Sequence, residues 1–216
     1  SSDLFKILHA PWIDDDIYNI DAHLFIDEDE TPYLYFDEVG VVGNPHAKPS
    51  TGYMYGKIHA VQLKPDLSGP AGEPVFCATA SEAWEEPENM FSRCNEGAYV
   101  FKHGDTYYMT YSNGHWSKNN YAIGYATAPH PLGPWTKPTD TPLLAADPEK
   151  KVFGPGHSSI TRSPDDSQMM IVYHTLPGKG RSGGRQVNID PLVITEDGKM
   201  NVLGPTRKIQ SVNGEK

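Results

Sequence analysis

Three copies of one short pattern, two β-type runs around a polar turn, constrain the fold of this chain more than any other feature. The copies occupy residues 21–36, 96–111 and 157–173. Aromatic and aliphatic residues fill the runs, and Asp, Gly, Pro, Thr or Ser fill the turns, which is typical of β-hairpins. Strand pairs that recur at a spacing of about 60–75 residues are typical of β-propeller blades. The pattern therefore predicts an all-β fold of the propeller type, in which the second copy is followed by outer strands near residues 121–127 and 133–137.

The length of the chain limits how much of a propeller it can form. A five-bladed ring built from such repeats needs roughly 300 residues, whereas this chain has 216. We therefore expect one domain over residues 1–216, an incomplete five-bladed β-propeller with about four blades. The missing part is expected at the N-terminal end, because only 20 residues precede the first copy.

Composition agrees with strands joined by turns and narrows the range of partners. The chain contains 12 Tyr, 20 Gly and 19 Pro residues, a balance that favours strands and turns over helices. A formal net charge of −10 disfavours nucleic acid and anionic membranes as partners, whereas a neutral polysaccharide is not repelled. The two cysteines, Cys77 and Cys94, could pair, but two buried thiols in a β core are the favoured interpretation.

Two of the three copies begin with a carboxylic acid, Asp21 in the first and Glu96 in the second. The innermost strand of each propeller blade starts near the central axis, so the two acids are predicted to meet in one central pocket. Two converging carboxylates are the minimal equipment of a glycosidase. Burial of Glu96 among Tyr and Phe would raise its pKa, as a general acid requires. The alternative is that both acids cap turns or face solvent at strand starts.

Other polar and aromatic residues are candidates for the same pocket. His157 begins the third copy in the same phase and could hold water, substrate or a metal ion, although an isolated histidine is a weak metal signal. Arg185 could form a fork with sugar hydroxyls or with a carboxylate. Trp84 could stack on a sugar, as could Trp116 and Tyr99. The ordinary alternatives are a satisfied polar histidine, an exposed loop arginine and structural aromatics.

Taken together, the three copies and the segments that contain these candidate residues resemble glycoside hydrolase family 43. The resemblance extends over nearly the whole chain, in the order of the family, and implies a five-bladed propeller that hydrolyses arabinose- or xylose-containing glycans with inversion. The stretches that match are residues 20–25, 33–36, 95–101, 107–111, 121–128, 131–135, 154–159 and 184–192.

The resemblance assigns a role to four of the candidates. It implies that Glu96 is the proton donor and that Asp21 orients the donor and tunes its pKa. It further implies that His157 is a central histidine, sometimes associated with a bound cation, and that Arg185 lies in the substrate pocket. No cofactor is required for such a reaction, and a central Ca²⁺ or other cation is compatible with the resemblance.

The general base is the point at which the chain departs from the family pattern. In the family, the base aspartate lies on the first blade, upstream of the position that matches Asp21. Here Asp3 lacks a strand context, and Asp14, Asp15 and Asp16 lie in a connector. We therefore expect the chain as given to lack the base, either because it is a fragment or because it has diverged from ordinary hydrolysis. This leaves the activity of the isolated chain open.

The sequence thus predicts a glycoside hydrolase of the α-L-arabinofuranosidase or β-xylosidase type. The expected partners are arabinan, arabinoxylan or xylan oligosaccharides, together with the missing N-terminal segment, and a secreted or periplasmic location is compatible with these substrates. The main alternative is a non-catalytic carbohydrate-binding propeller. A five-bladed family that acts on fructosides fits on fold alone.

Overall fold

The computed structural model describes residues 18–41, 54–85, 92–138, 141–178 and 184–206. All the regular elements in these ranges are β-strands, eleven in number, and they form two sheets. The all-β prediction is therefore confirmed. Among the described residues, no helix has the length and apolar character needed to cross a membrane.

The first blade is an antiparallel meander of four strands. These are β1 (Tyr18–Ile26), β2 (Pro32–Val41), β3 (Met54–Gln62) and β4 (Val75–Thr79). The chain reverses between β1 and β2 through backbone hydrogen bonds from Asp27 to Thr31 and from Glu30 to Asp27. Glu30 takes a φ of 68°, the left-handed conformation that such a tight reversal needs. The first predicted hairpin is present at the expected place.

The second blade contains the strands β5 (Ser92–His103), β6 (Thr106–Asn113) and β7 (Ala122–Ala128). The first three residues of β5 pair in parallel with β3, which joins the first two blades into one seven-stranded sheet. An outer strand was predicted near residues 133–137, but only an isolated bridge between Thr127 and Thr136 occurs there. Proline has no N–H to donate, and Pro134 and Pro138 flank this bridge.

The third blade is a separate four-stranded sheet. It consists of β8 (Phe153–Arg162), β9 (Met169–Leu176), β10 (Gln186–Ile194) and β11 (Met200–Val202). The described residues therefore form three blades. The predicted number of about four blades included partial blades at the two ends of the chain. These ends, residues 1–17 and 207–216, lie outside the described residues.

Hydrophobic residues from adjacent blades interlock in two core clusters. One cluster joins the first two blades and includes Tyr35, Ile58 and Met109, each fully buried. The other joins the second and third blades and includes Ile123 and Ile171. Alternate residues of each strand point into these cores, as the period of two predicts. The two cysteines are buried thiols, which confirms the interpretation as core thiols.

Candidate active site

The innermost strand of each blade contains the same backbone irregularity, and the candidate site is built on it. The pairing register slips on β1, β5 and β8 within the first residues of each copy. At these β-bulges Asp21, Gly97 and His157 take φ values of 55°, 64° and 52°. A bulge re-aims the neighbouring side chains and often occurs next to an active site.

The bulges correct the predicted phase of the two acids. Ile20, Glu96 and Gly156 are the last paired residues before each slip, so these three occupy equivalent positions. Asp21 is one step later and is equivalent to His157, as predicted, but not to Glu96. The prediction that Asp21 and Glu96 share one phase was therefore wrong by one residue.

Glu96 is nevertheless buried and close enough to Asp21 for the two charges to interact. Only 8% of Glu96 is exposed, and the Tyr121 hydroxyl donates a hydrogen bond of 2.7 Å to its Oε1. Burial is the main cause that raises the pKa of Glu96 to about 7. The Asp21 charge raises this pKa further, whereas the Tyr121 hydrogen bond and the Arg185 charge lower it. A carboxyl group in this state holds a proton near neutral pH and can donate it.

Tyr121 was not identified from the sequence as a site residue. It is fully buried on the second blade, where its ring stacks on His174 with 5.6 Å between the ring centroids. Gly156 provides the space for this ring, because a Cβ at Gly156 would lie 2.0 Å from Tyr121 Cε1. Gly156, directly before the third copy, is thus required for the packing of Tyr121, which donates the hydrogen bond to Glu96.

Asp37 is the second residue that the sequence analysis missed. Its side chain has no exposed surface, and its Oδ2 accepts the Gly97 N–H at 2.7 Å. Burial, reinforced by the charges of Asp21 and Glu96, raises the pKa of Asp37 well above its ordinary value. The signal available in the sequence was an acid that directly follows the aromatic run of β2, in a strand that otherwise reads as core.

His157 lies beside the two acids, with its side chain about half exposed. Its Nδ1 is 4.0 Å from Asp21 Oδ2, and its backbone N–H donates to Ser112 Oγ at 2.6 Å. The described residues contain no group of three or more His, Cys, Asp or Glu side chains that could hold a metal ion. The metal role of His157 therefore stays a prediction.

Arg185 and Trp116 come together at the open side of the site. The Arg185 guanidinium lies over the Trp116 ring, 5.0 Å from its centroid, and 40% of Trp116 is exposed. The Arg185 charge also helps burial to lower the pKa of His174 to about 4. An exposed indole held by a guanidinium offers both an apolar face and hydrogen-bond donors to a sugar.

The remaining candidates have structural contacts or lie outside the described residues. Trp84 is partly buried and packs against the first core cluster with its Nε1 buried, so these contacts give the predicted sugar-stacking role no support. The Tyr99 hydroxyl donates to the Ile160 carbonyl at 2.9 Å, a contact between two blades. The aspartates considered as a general base all fall in residues 1–17, outside the described residues.

A buried, proton-holding glutamate beside an aspartate, on strand starts of an all-β blade array, is typical of a glycoside hydrolase. The family model described as "Glycosyl hydrolases family 43" matches residues 5–200, and the chain belongs to this family. The predicted resemblance is therefore confirmed.

Named relatives and solved structures agree with this membership. A β-D-galactofuranosidase of Aspergillus niger is 28% identical over 198 residues, which cover 90% of this chain and 49% of the relative. An extracellular exo-α-(1→5)-L-arabinofuranosidase of Streptomyces avermitilis is 28% identical over 142 residues, covering 61% of this chain and 28% of the relative. The crystal structure of a thermostable family-43 glycoside hydrolase superposes with a TM-score of 0.82 at 40% identity, covering 93% of this chain and 62% of that structure. This chain thus spans about half, or less, of the curated relatives.

Proposed function

We propose that this chain hydrolyses O-glycosidic bonds in arabinose- or xylose-containing glycans by inversion, with Glu96 as the proton donor. The observation that supports the proposal best is the environment of Glu96, which is buried, hydrogen-bonded by Tyr121 and raised in pKa to about 7. The arabinofuranosidase named among its relatives supports the substrate class. That relative is named as an extracellular enzyme, which supports a secreted location for this chain.

The hydrogen bond from Tyr121 determines which oxygen of Glu96 can act. Because the hydroxyl donates to Oε1, the proton of the neutral acid resides on Oε2. From Oε2 the proton passes to the glycosidic oxygen as the bond to the anomeric carbon breaks. The Asp21 charge raises the pKa of Glu96, so the proton is retained until the leaving oxygen accepts it. These transfers require no cofactor.

Inversion needs a second carboxylate that activates water on the opposite face of the sugar, roughly 6.5–9.5 Å from the acid. Asp37 is a carboxyl group close to Glu96, but it has no exposed surface with which to bind an attacking water. We therefore assign the base to no described residue. Arg185 and Trp116 are proposed to bind the sugar at the open side of the site.

Glu96→Gln tests the proposal in this chain and in a form extended upstream. Substrates are an aryl α-L-arabinofuranoside and an aryl β-D-xyloside, each with a good and a poor leaving group. In whichever form turns over, we expect the variant to lose about 10²–10⁴-fold in kcat/KM for poor leaving groups. Activated leaving groups need less protonation, so the loss there is smaller.

Glu73→Gln, which changes an exposed glutamate, is the matched control and should retain full activity. Full activity of Glu96→Gln on poor leaving groups would refute the donor assignment. Binding of arabinan oligosaccharides without turnover in either form would instead identify a carbohydrate-binding module.

A further inference from the structure

The carboxyl group of Asp37 has an unusual set of partners. Its Oδ2 accepts the Gly97 N–H, but its Oδ1 is buried and, in the described part of the chain, has no hydrogen-bond donor. Among the described residues, the side chain that interacts with Asp37 as a hydrogen-bonding neighbour is the carboxyl group of Asp21, which is itself an acceptor when ionised. Two carboxylates cannot hydrogen-bond to each other, whereas a carboxylic acid and a carboxylate can.

The charges around Asp37 also favour a neutral carboxyl group. Asp21 on β1 and Glu96 on β5 face it, and both are acids. On β3 the residue opposite is Ile58. The bases on that strand, Lys57 and His59, instead face Glu38, the next residue along β2, and each has a nitrogen 3.0 Å from a Glu38 carboxyl oxygen. Adjacent residues of a strand point to opposite faces, so these bases do not compensate a charge on Asp37.

We propose that Asp37 is a positioning residue that acts in its protonated form, donating from Oδ1 to the Asp21 carboxylate while Oδ2 holds the Gly97 N–H. The first contact orients Asp21, and the second fixes the bulge that directly follows Glu96. The inference rests on the proposed function of Glu96 for its catalytic meaning. The state of Asp37 itself is a property of the folded chain. A neutral Asp37 also adds no third negative charge to the site.

Asn is the amide counterpart of a protonated aspartate. In Asp37→Asn, the Oδ1 can accept the Gly97 N–H, and the Nδ2 can donate to Asp21. This variant should therefore leave the ionisation of Glu96 unchanged. If Asp37 were ionised, the same substitution would delete a negative charge beside Glu96 and lower its titration midpoint by about 1 pH unit. Asp37→Ala removes both contacts and should disturb Asp21 and Glu96 in either case.

The experiment is a ¹³C NMR titration of the side-chain carboxyl groups of Asp and Glu in the wild type, Asp37→Asn and Asp37→Ala. The carboxyl signals are assigned in the wild type by triple-resonance experiments that link each carboxyl carbon to its own backbone, and Asp21→Asn and Glu96→Gln check the assignments. We expect the Asp37 carboxyl to keep the shift of a protonated acid at pH 7, and the Glu96 midpoint to be the same in the wild type and in Asp37→Asn. An ionised Asp37 at pH 7, or a lower Glu96 midpoint in Asp37→Asn, would overturn the inference.

This readout needs no turnover, so its result is independent of whether the chain hydrolyses glycosides. The wild-type titration alone decides the protonation state of Asp37 if a variant fails to fold. Where turnover is measurable, Asp37→Asn should preserve the alkaline limb of the pH profile of kcat/KM, which a purely structural role of Asp37 would not require.

Discussion

Ionising Glu96 in the folded protein should destabilise it, and Glu96→Gln should remove that effect. The carboxyl group is buried, and among the described residues its side-chain hydrogen-bond donor is the Tyr121 hydroxyl. Burial is the main reason why its pKa rises to about 7 from an ordinary value of 4.5. The amide of Gln has nearly the same shape, can accept the same hydrogen bond and never ionises.

The magnitude follows from proton linkage. The difference between the two pKa values is about 2.5 units, and each unit corresponds to about 1.36 kcal/mol, which gives about 3 kcal/mol. Below pH 4.5 the folded and unfolded states both hold the proton. Between pH 4.5 and 7 the unfolded chain loses the proton while the folded chain keeps it, so stability falls. Above pH 7 both states are ionised, and the stability difference stays constant.

The assay is urea unfolding of the wild type and of Glu96→Gln at a series of pH values from 4.5 to 8.5. We expect the free energy of unfolding of the variant, relative to that of the wild type, to rise by about 3 kcal/mol across this range. The amide also introduces an offset that does not depend on pH, so the slope is diagnostic. Parallel curves would refute the assignment of a buried, proton-holding Glu96. Glu73→Gln, at an exposed position, should run parallel to the wild type.

Two further predictions concern packing around the site and the interior of the blades. Gly97→Ala should destabilise the protein more than Gly104→Ala in urea unfolding, and equal losses would contradict this. Both glycines have positive φ, which costs about 1–2 kcal/mol for alanine, but only Gly97 would place a Cβ 3.1 Å from His157 Nδ1. Lys137→Met should cost about 3–5 kcal/mol, because it leaves the buried Glu85 without its cation. Adding Glu85→Gln should recover much of this loss, and strictly additive losses would show that the pair is not coupled.

The sequence predicted the strand pairs well because their determinants are local. Alternation of apolar residues and the turn residues between them specify each hairpin without reference to the rest of the chain. The predicted outer strand at residues 133–137 was wrong for an equally local reason, since Pro134 and Pro138 prevent a continuous ladder.

The site was predicted less completely because its geometry depends on β-bulges and on residues of the second strand of each blade, such as Asp37. A bulge inserts one residue without a fixed sequence marker. Here Asp21 and His157 have a positive φ at positions equivalent to Gly97, where glycine is the usual choice. The phase of Glu96 was therefore misjudged by one residue. Trp84 shows a related limit, because an aromatic residue in an acidic connector does not reveal which way its ring points.

The contact between Asp37 and Gly97 belongs to a repeated feature of the fold. On the second strand of each blade, Asp37, Ser112 and His174 pair with the last regular residue before the bulge. Asp37 accepts the N–H of the bulge residue Gly97 in the next blade, and Ser112 accepts that of His157 in the same way. The contact joins neighbouring blades whichever polar residue accepts it.

The carboxyl version of this contact also places an acid close enough to Glu96 for an electrostatic interaction. In the proposed arrangement, Asp37 therefore both joins the two blades through Gly97 and orients Asp21 beside Glu96. Loss of activity in Asp37→Ala cannot separate these two roles, because removing the acceptor leaves the buried Gly97 N–H unpaired at a cost of about 1–3 kcal/mol. Asp37→Asn keeps the acceptor and removes only the ability to ionise, so the amide substitution distinguishes the chemistry of this position from its part in joining the blades.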